Sequence, residues 1–441
     1  MNKIIRTTYF LIIMIIPNIT QANIEILKYE TKNGITVLYS KSENIPMIDI
    51  KITFDAGSNK DNGLKGLSML THNLLDEGTT KMNSEEIASS FESTGASFNA
   101  SVNKDKSSIS LRSLTDKKYL NPSIKTLLDI LSDSNFPQKE INLQKDRTIS
   151  SIIEDESDPS EISSNLFFKE IYKEHPYGSP SIGEKESLKK INRKNILDFY
   201  KNNINHKNAT IAIVSSLSEK EVIILSEKIS KSLERKKVIN KNNIIPLEKN
   251  NKGKYIYKKF NSEQAHIYVG GLSLKRGSKN HLPLYVGNYI FGGSGFSARL
   301  MQELRVKKGY TYGVYSYVYP MKDIGPFVIG IETKSEQAQD SIKIIHNMLK
   351  EFCDKGPTNQ ELKHAKEAII NGFPLRVDSN SDILNYLSMI NYYNLPLDYL
   401  DSFTKNISKI TKKDILQAFK EEIDLKNLVT LVVGNEKAKK K

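Results

Sequence analysis

The chain has 441 residues, a formal net charge of +13 and one cysteine, Cys353. That length exceeds one ordinary core and suits two domains of about 200 residues each. A lone cysteine excludes an intramolecular disulfide and a thiolate zinc cluster. Lys and Asn are scattered among many Ile without a dense basic block flanked by aromatics, which argues against nucleic acid as a partner and leaves a mild attraction to anionic surfaces.

At the start, Met1-Asn-Lys3-Ile-Ile-Arg6 precedes an apolar run over 9–16 and then Thr20-Gln-Ala22, with small residues where a signal peptidase inspects. Residues 1–22 therefore read as an export signal cleaved after Ala22. The run is too short to span a bilayer comfortably, and no cysteine follows that could carry a lipid. An uncleaved anchor is the alternative. The expected location is the periplasm or the exterior, with no stable membrane insertion.

Past the signal, alternating segments at 35–39, 48–54 and 107–111 predict strands, and the second half offers a similar set at 255–257, 265–272 and 312–319. Long amphipathic helices interrupt both sets. This pattern predicts an α+β class: two homologous domains, each a largely antiparallel sheet packed with helices, over 23–235 and 255–441. Between them, 236–254 is rich in Lys and Asn, holds Pro246 and Gly253, and reads as an exposed linker.

An internal duplication supports the division. Ile191, Lys194, Ile196, Leu197, Tyr200 and Lys201 recur at a constant offset as Ile410, Lys413, Ile415, Leu416, Phe419 and Lys420, and each block runs on into an apolar strand, 211–214 or 431–433. Upstream, Ser123-Ile-Lys125 with Leu127, Leu128 and Leu131 resembles Ser341-Ile-Lys343 with Ile344, Ile345, Met348 and Leu349; a proline follows each, Pro137 and Pro357. Two blocks at nearly one offset indicate a repeated unit.

The segment 66–79 carries Leu67, Leu70, Leu74 and Leu75 at helical spacing and predicts a helix stopped by Gly78. In the second half, Gly292-Gly293-Ser294-Gly295 lacks the lysine of a phosphate loop and does not fit G-x-S-x-G. It reads as a flexible turn before a helix starting near Ser297.

Several strings in order resemble the pitrilysin/insulinase zinc-peptidase family, in the branch of the mitochondrial processing peptidase and its bacterial relatives. They are Gly66 with Gly78-Thr79, Gly95-Ala-Ser-Phe-Asn99-Ala100, His175-Pro-Tyr-Gly178 with Ile182-Gly183, and Arg299 to Arg305 running on through Gly309-Tyr-Thr-Tyr312. The resemblance spans nearly the whole mature chain. In that family a glycine, two residues, HxxEH, four residues and Gly-Thr supply two zinc ligands and a general base.

Aligned on Gly66 and Gly78, the resemblance puts Met69 and Asn73 at the two histidine positions and His72 at the glutamate; Ser150 or Ser151 falls at the third ligand when Asp158-Pro159 is aligned. Zinc hydrolysis needs two imidazoles on one helical face, a carboxylate from elsewhere and a nearby base. A thioether, an amide and a hydroxyl are no substitute for a borderline-soft dication, so no cofactor is expected in this chain. A shifted register through His72 with Glu77, Glu154 or Glu156 is a poorer set. The remaining histidines form no pair at zinc spacing, and Glu361 with His364 reads as a solvated helix face. Without a metal role, Met69 reads as a core side chain and His72 as an ordinary polar position.

Arg305 and Tyr312 match the family's arginine and tyrosine that reach substrate from the second domain. The resemblance implies a non-catalytic, substrate-binding subunit of a two-chain secreted zinc peptidase. Its partner would be an HxxEH-bearing relative that brings the zinc, and its substrate an extended peptide added to a sheet edge, with 95–102 as the candidate edge. The alternatives are a structural or peptide-binding protein of the same fold, and an autonomous metallopeptidase with unusual ligands.

Overall fold

A computed structural model describes residues 24–43, 45–235, 246–249 and 252–440. The expected export signal at 1–22 and most of the expected linker lie outside the described residues. No described helix is long and apolar enough to cross a membrane.

Period-two alternation builds both sheets. In the strand Met47–Phe54, Ile48, Ile50, Ile52 and Phe54 are fully buried on one face, and Asp49, Lys51 and Thr53 occupy the other. The first half contributes β1 (Leu27–Glu30), β2 (Thr36–Lys41), β3 (Met47–Phe54), β4 (Ser97–Val102), β5 (Ser107–Leu114) and β6 (Ala209–Ser215), ordered β1-β2-β6-β3-β5-β4. The second half contributes β7 (Lys254–Lys259), β8 (Gln264–Leu272), β9 (Val314–Val318), β10 (Pro326–Lys334) and β11 (Val429–Gly434), ordered β7-β11-β8-β10-β9. Apart from β1, the two orders are one topology written twice, and β2–β6 and β7–β11 are the parallel pairs in otherwise antiparallel sheets. The repeat extends to helix starts. Arg193–Asn203 and Lys412–Glu422 both open with a reciprocal cap, Asn192 with Asn195 and Thr411 with Asp414.

Each half lends a helix to the other's sheet. Pro159–Tyr172 crosses to lie on β8 and β11, and its Phe167, Ile171 and Tyr172 close a buried cluster with Val328, Val429, Leu431 and Val433. Phe167 stacks on Tyr268 with centroids 5.4 Å apart, over Gly270, where a Cβ would stand 2.1 Å from the Phe327 carbonyl. Burying Phe167 in this way contributes about 2–3 kcal/mol. In return, Asn380–Tyr392 lies on β2, β3 and β6. There Thr53 and Ser388 hydroxyls meet at 2.8 Å, and Asn391 Nδ2 donates to the Thr36 and Ile211 carbonyls at 3.0 Å. Each sheet is built from strands of one half, β7 starting at Lys254, while these two helices pack across.

At the junction sits Asp105, 2% exposed. Its carboxylate accepts from the Tyr177 hydroxyl, from the Tyr393 hydroxyl at 2.9 Å and from the Lys322 N–H at 2.8 Å, and its carbonyl accepts from Tyr392. Two of the second half's tyrosines and one of its backbone amides therefore close on one acid of the first.

Candidate functional site

The helix that should carry chemistry is shorter than its leucine spacing suggests. It spans Leu67–His72 and ends at Asn73, beyond which Leu74, Leu75 and Glu77 bond back to carbonyls three residues earlier. That tightening buries both Leu74 and Leu75 completely. Buried Asp61 caps the start, accepting from the Gly66 N–H at 2.7 Å and the Ser68 N–H at 2.8 Å, and burial raises its carboxyl to about 7.

Gly66 has φ +94° and Gly183 φ +97°. A Cβ on Gly66 would come within 2.9 Å of the Gly183 Cα, and one on Gly183 within 2.7 Å of the Gly66 Cα. Two family strings far apart in sequence are thus two sides of one backbone contact.

Met69 and Asn73, one turn apart, share a half-buried face. His72 is 1% exposed and lies in the core, Nδ1 2.8 Å from the Ser68 carbonyl and its ring edge-on to Phe199. Burial holds it down to about 4. The core residue is thus His72 and the partly exposed one Met69, the reverse of the reading from residue type, because helical phase outranks polarity. Ser150 and Ser151 are exposed on the helix Gln138–Asp155. These groups do not fit zinc: the face that should hold the metal offers a thioether and an amide, and the one imidazole is turned away from it with Nδ1 engaged. Among the described residues no three His, Cys, Asp or Glu side chains are grouped to hold a metal ion.

In the second half, Arg305 lies in the π-helical turn Gln302–Lys307 that continues Arg299–Met301. Gly309, φ +66°, ends it by donating to the Arg305 carbonyl at 3.0 Å. A tight turn follows, in which the Thr311 hydroxyl bonds both the N–H and the C=O of Gly313. Tyr312 is thereby held at the tip, 84% exposed, and β9 begins two residues later than expected, at Val314. The Arg305 guanidinium donates to the Tyr312 carbonyl and stacks 4.4 Å from the Phe296 centroid. Arginine and tyrosine are thus brought to one corner by backbone geometry.

Beside this corner a concavity of about 210 Å³ opens on the second sheet, lined by Ser160, His266, Tyr268, Tyr312, Tyr315 and Glu332 among others. Sequence reasoning missed it, although Tyr312, Tyr315, Tyr317 and Tyr319 could have signalled an aromatic edge. The first sheet has a counterpart of about 310 Å³ at the corresponding place, lined by Asp49, Lys51, Asn99, Arg112, Ser381 and Asn385. The residues 95–102 contain β4, which pairs only with β5 and forms the sheet's edge.

Two expectations need correction. The expected turn is confined to 294–297, because Gly292 and Gly293 close the π-helical stretch Tyr289–Gly293, where a Cβ on Gly292 would stand 2.4 Å from the Ser316 hydroxyl and 2.8 Å from Leu300. His364 is exposed, as expected, whereas Glu361 is only partly so; Arg299 grips it with bonds of 2.6 and 2.7 Å and holds its carboxyl down to about 2.

Comparison with known proteins places these features. Residues 36–185 match the model of the insulinase family, peptidase family M16, and residues 190–369 that of the peptidase M16 inactive domain. A Helicobacter pylori protein named non-peptidase homolog YmxG is 28% identical over 92% of this chain and 93% of its own length. An uncharacterized zinc protease YmxG from Bacillus subtilis is 26% identical over 81% of this chain and 85% of its own. A crystal structure of a peptidase M16 inactive domain from Pseudomonas fluorescens superposes with a TM-score of 0.90 at 29% identity, covering 94% of this chain and all of that one. With a repeated α+β topology and a helix that lacks the zinc-ligand residue types, this chain belongs to the insulinase (M16) peptidase family.

Proposed function

We propose that this protein is the substrate-binding, non-catalytic subunit of an exported two-chain zinc peptidase, partnered by an HxxEH-bearing relative that brings the metal. The observation that carries this reading is the asymmetry between its halves. The first half has Met69, Asn73 and Ser150 where ligands would be needed, and the second holds Arg305 and Tyr312 ready at one exposed corner. An exposed phenol can donate to a peptide carbonyl presented from outside. The guanidinium, pinned by the Tyr312 carbonyl, keeps further N–H donors for a second carbonyl. An extended peptide would add to the edge strand β4 by main-chain hydrogen bonds.

The test mixes the purified chain with exported HxxEH relatives and follows cleavage of a quenched fluorescent peptide. The chain alone is expected to be inactive and the right mixture active. Arg305→Ala and Tyr312→Phe should each lower kcat/KM by about tenfold to a hundredfold. If every mixture is no more active than the HxxEH protein alone, or both variants behave as the parent, the protein is instead a structural or peptide-binding member of the fold.

A further inference from the structure

Positive charge gathers at the junction of the two halves, three cations beside the one acid Asp105. Lys51 stands on β3 and Lys106 at the entry to β5, while Arg276 comes from the loop after β8. The Tyr393 ring, at the end of the exchanged helix, joins two of them: Lys106 Nζ lies 5.3 Å and the Arg276 guanidinium 5.2 Å from its centroid. Lys106 is also 5.1 Å from the adjoining Tyr392 ring. Lys322 lies 5.4 Å from that ring too, but it is paired with Asp55 at 2.9 Å.

The other three have no such partner. Among the described residues, the Lys51 ammonium donates to the neutral Asn385 amide oxygen, at 2.9 Å, and to no carboxylate. Among the described residues none of Lys51, Lys106 and Arg276 makes an ion pair, and the Arg276 Nε is buried without a hydrogen-bond partner. The one neighbouring acid, Asp105, directs its hydrogen bonds to two tyrosine hydroxyls and the Lys322 N–H, so it offsets one of the three charges without bonding any of them.

The fields of these groups are felt locally. Burial first, then Lys51, pushes the Lys106 ammonium down to about 8, with Arg276 adding to the push and Asp105 opposing it. Burial, helped by Arg276, holds His281 down to about 4. Three cations crowded together, partly desolvated and facing a single carboxylate, are unfavourable in an empty fold, and are stabilised when a further anion arrives.

We propose that the junction is a binding site for a small oxyanion, a phosphate or carboxylate group, held by Lys51, Lys106 and Arg276 against the walls of Tyr392 and Tyr393. Arg276 supplies planar donors suited to two oxygens, and the lysines supply point charges. The ligand touches both halves and so stabilises their association. This site is separate from the Arg305 and Tyr312 corner and does not depend on the role proposed for that corner.

Inorganic phosphate is the first probe, titrated into the full chain near neutral pH with sodium chloride added to hold ionic strength constant while Tm is followed. A saturable rise in Tm is expected, and Arg276→Gln and Lys106→Met should each weaken the apparent affinity by about tenfold or more. Lys350→Gln, which alters a solvent-exposed pair with Asp354, should leave it unchanged. Lys106→Met removes a crowded ammonium and should raise the Tm of the unliganded protein, so loss of the phosphate response cannot be ascribed to a damaged fold. A response no greater than that to chloride, or one that both variants retain in full, overturns the proposal. Competition by one peptide as free acid and as amide then distinguishes the source. Displacement by the free acid alone marks a peptide carboxylate, and displacement by neither marks free phosphate or a phosphate ester; both results leave the site in place.

Discussion

Asp105 joins the halves through hydroxyls that can be removed one at a time. Tyr393→Phe deletes a donor at 2.9 Å from a carboxylate that is 2% exposed. Tyr177→Phe deletes another and also leaves the Asp323 N–H, 3.3 Å from that hydroxyl, without its acceptor. A hydrogen bond to a charged acceptor is worth about 1.5–3 kcal/mol, so each variant should lose about 2 kcal/mol. The double variant leaves the carboxylate with only the Lys322 N–H as a donor, and a buried charge so poorly served costs more than the sum of the single losses. A coupling of about 1 kcal/mol is therefore expected. Urea unfolding followed by circular dichroism measures all three, and the exchanged helices predict one transition with an unchanged m value. Single losses below about 0.5 kcal/mol, or additivity within about 0.3 kcal/mol, would refute the idea that this carboxylate carries the junction.

Other outcomes follow from particular residues. Burial depresses His72 from 6.5 to about 4, so the unfolded chain binds the extra proton between those values. The neutral ring's contribution is complete above 6.5 and drains away as pH falls toward 4. Relative to the parent, His72→Leu should gain about 3 kcal/mol between pH 7 and pH 4; the opposite trend from Asp61, raised to about 7, cancels in the difference, and parallel pH curves would defeat the argument. Gly183→Ala forces a methyl against the Gly66 backbone at φ +97° and should destabilise by about 2–4 kcal/mol in the same urea assay; a loss under about 1 kcal/mol would mean the loop simply shifts. Calorimetric titration with zinc at neutral pH should show no stoichiometric tight site, and one-to-one binding that His72→Leu abolishes would restore the autonomous-enzyme reading.

The duplication was visible in the sequence because the repeated helix and strand each bury one face, and burial constrains residue type at fixed spacing. Gly66, Gly78 and Asp158-Pro159 set the register that puts Met69, Asn73 and Ser150 or Ser151 at the family's ligand positions. The destination of Pro159–Tyr172 and Asn380–Tyr392 could not be read. An apolar helical face announces that it will be covered without saying by which sheet. Asp105 was equally silent, since Lys104-Asp105-Lys106 has the composition of a solvated turn, and only the arrival of Tyr177, Tyr392 and Tyr393 from elsewhere turns it into a hub. His72 reads as a polar position from its residue type, but helical phase puts it in the core.

The traded helices bear on how such a chain could have arisen and how it must assemble. Two identical polypeptides, each extending an arm onto its twin, would have the same architecture as these joined repeats, so the tandem form resembles a swapped dimer made permanent by fusion. Neither repeat can cover its own sheet until its counterpart has been synthesised. Fragments divided at 236–254 are accordingly expected to aggregate when produced separately and to recover a shared fold when produced together.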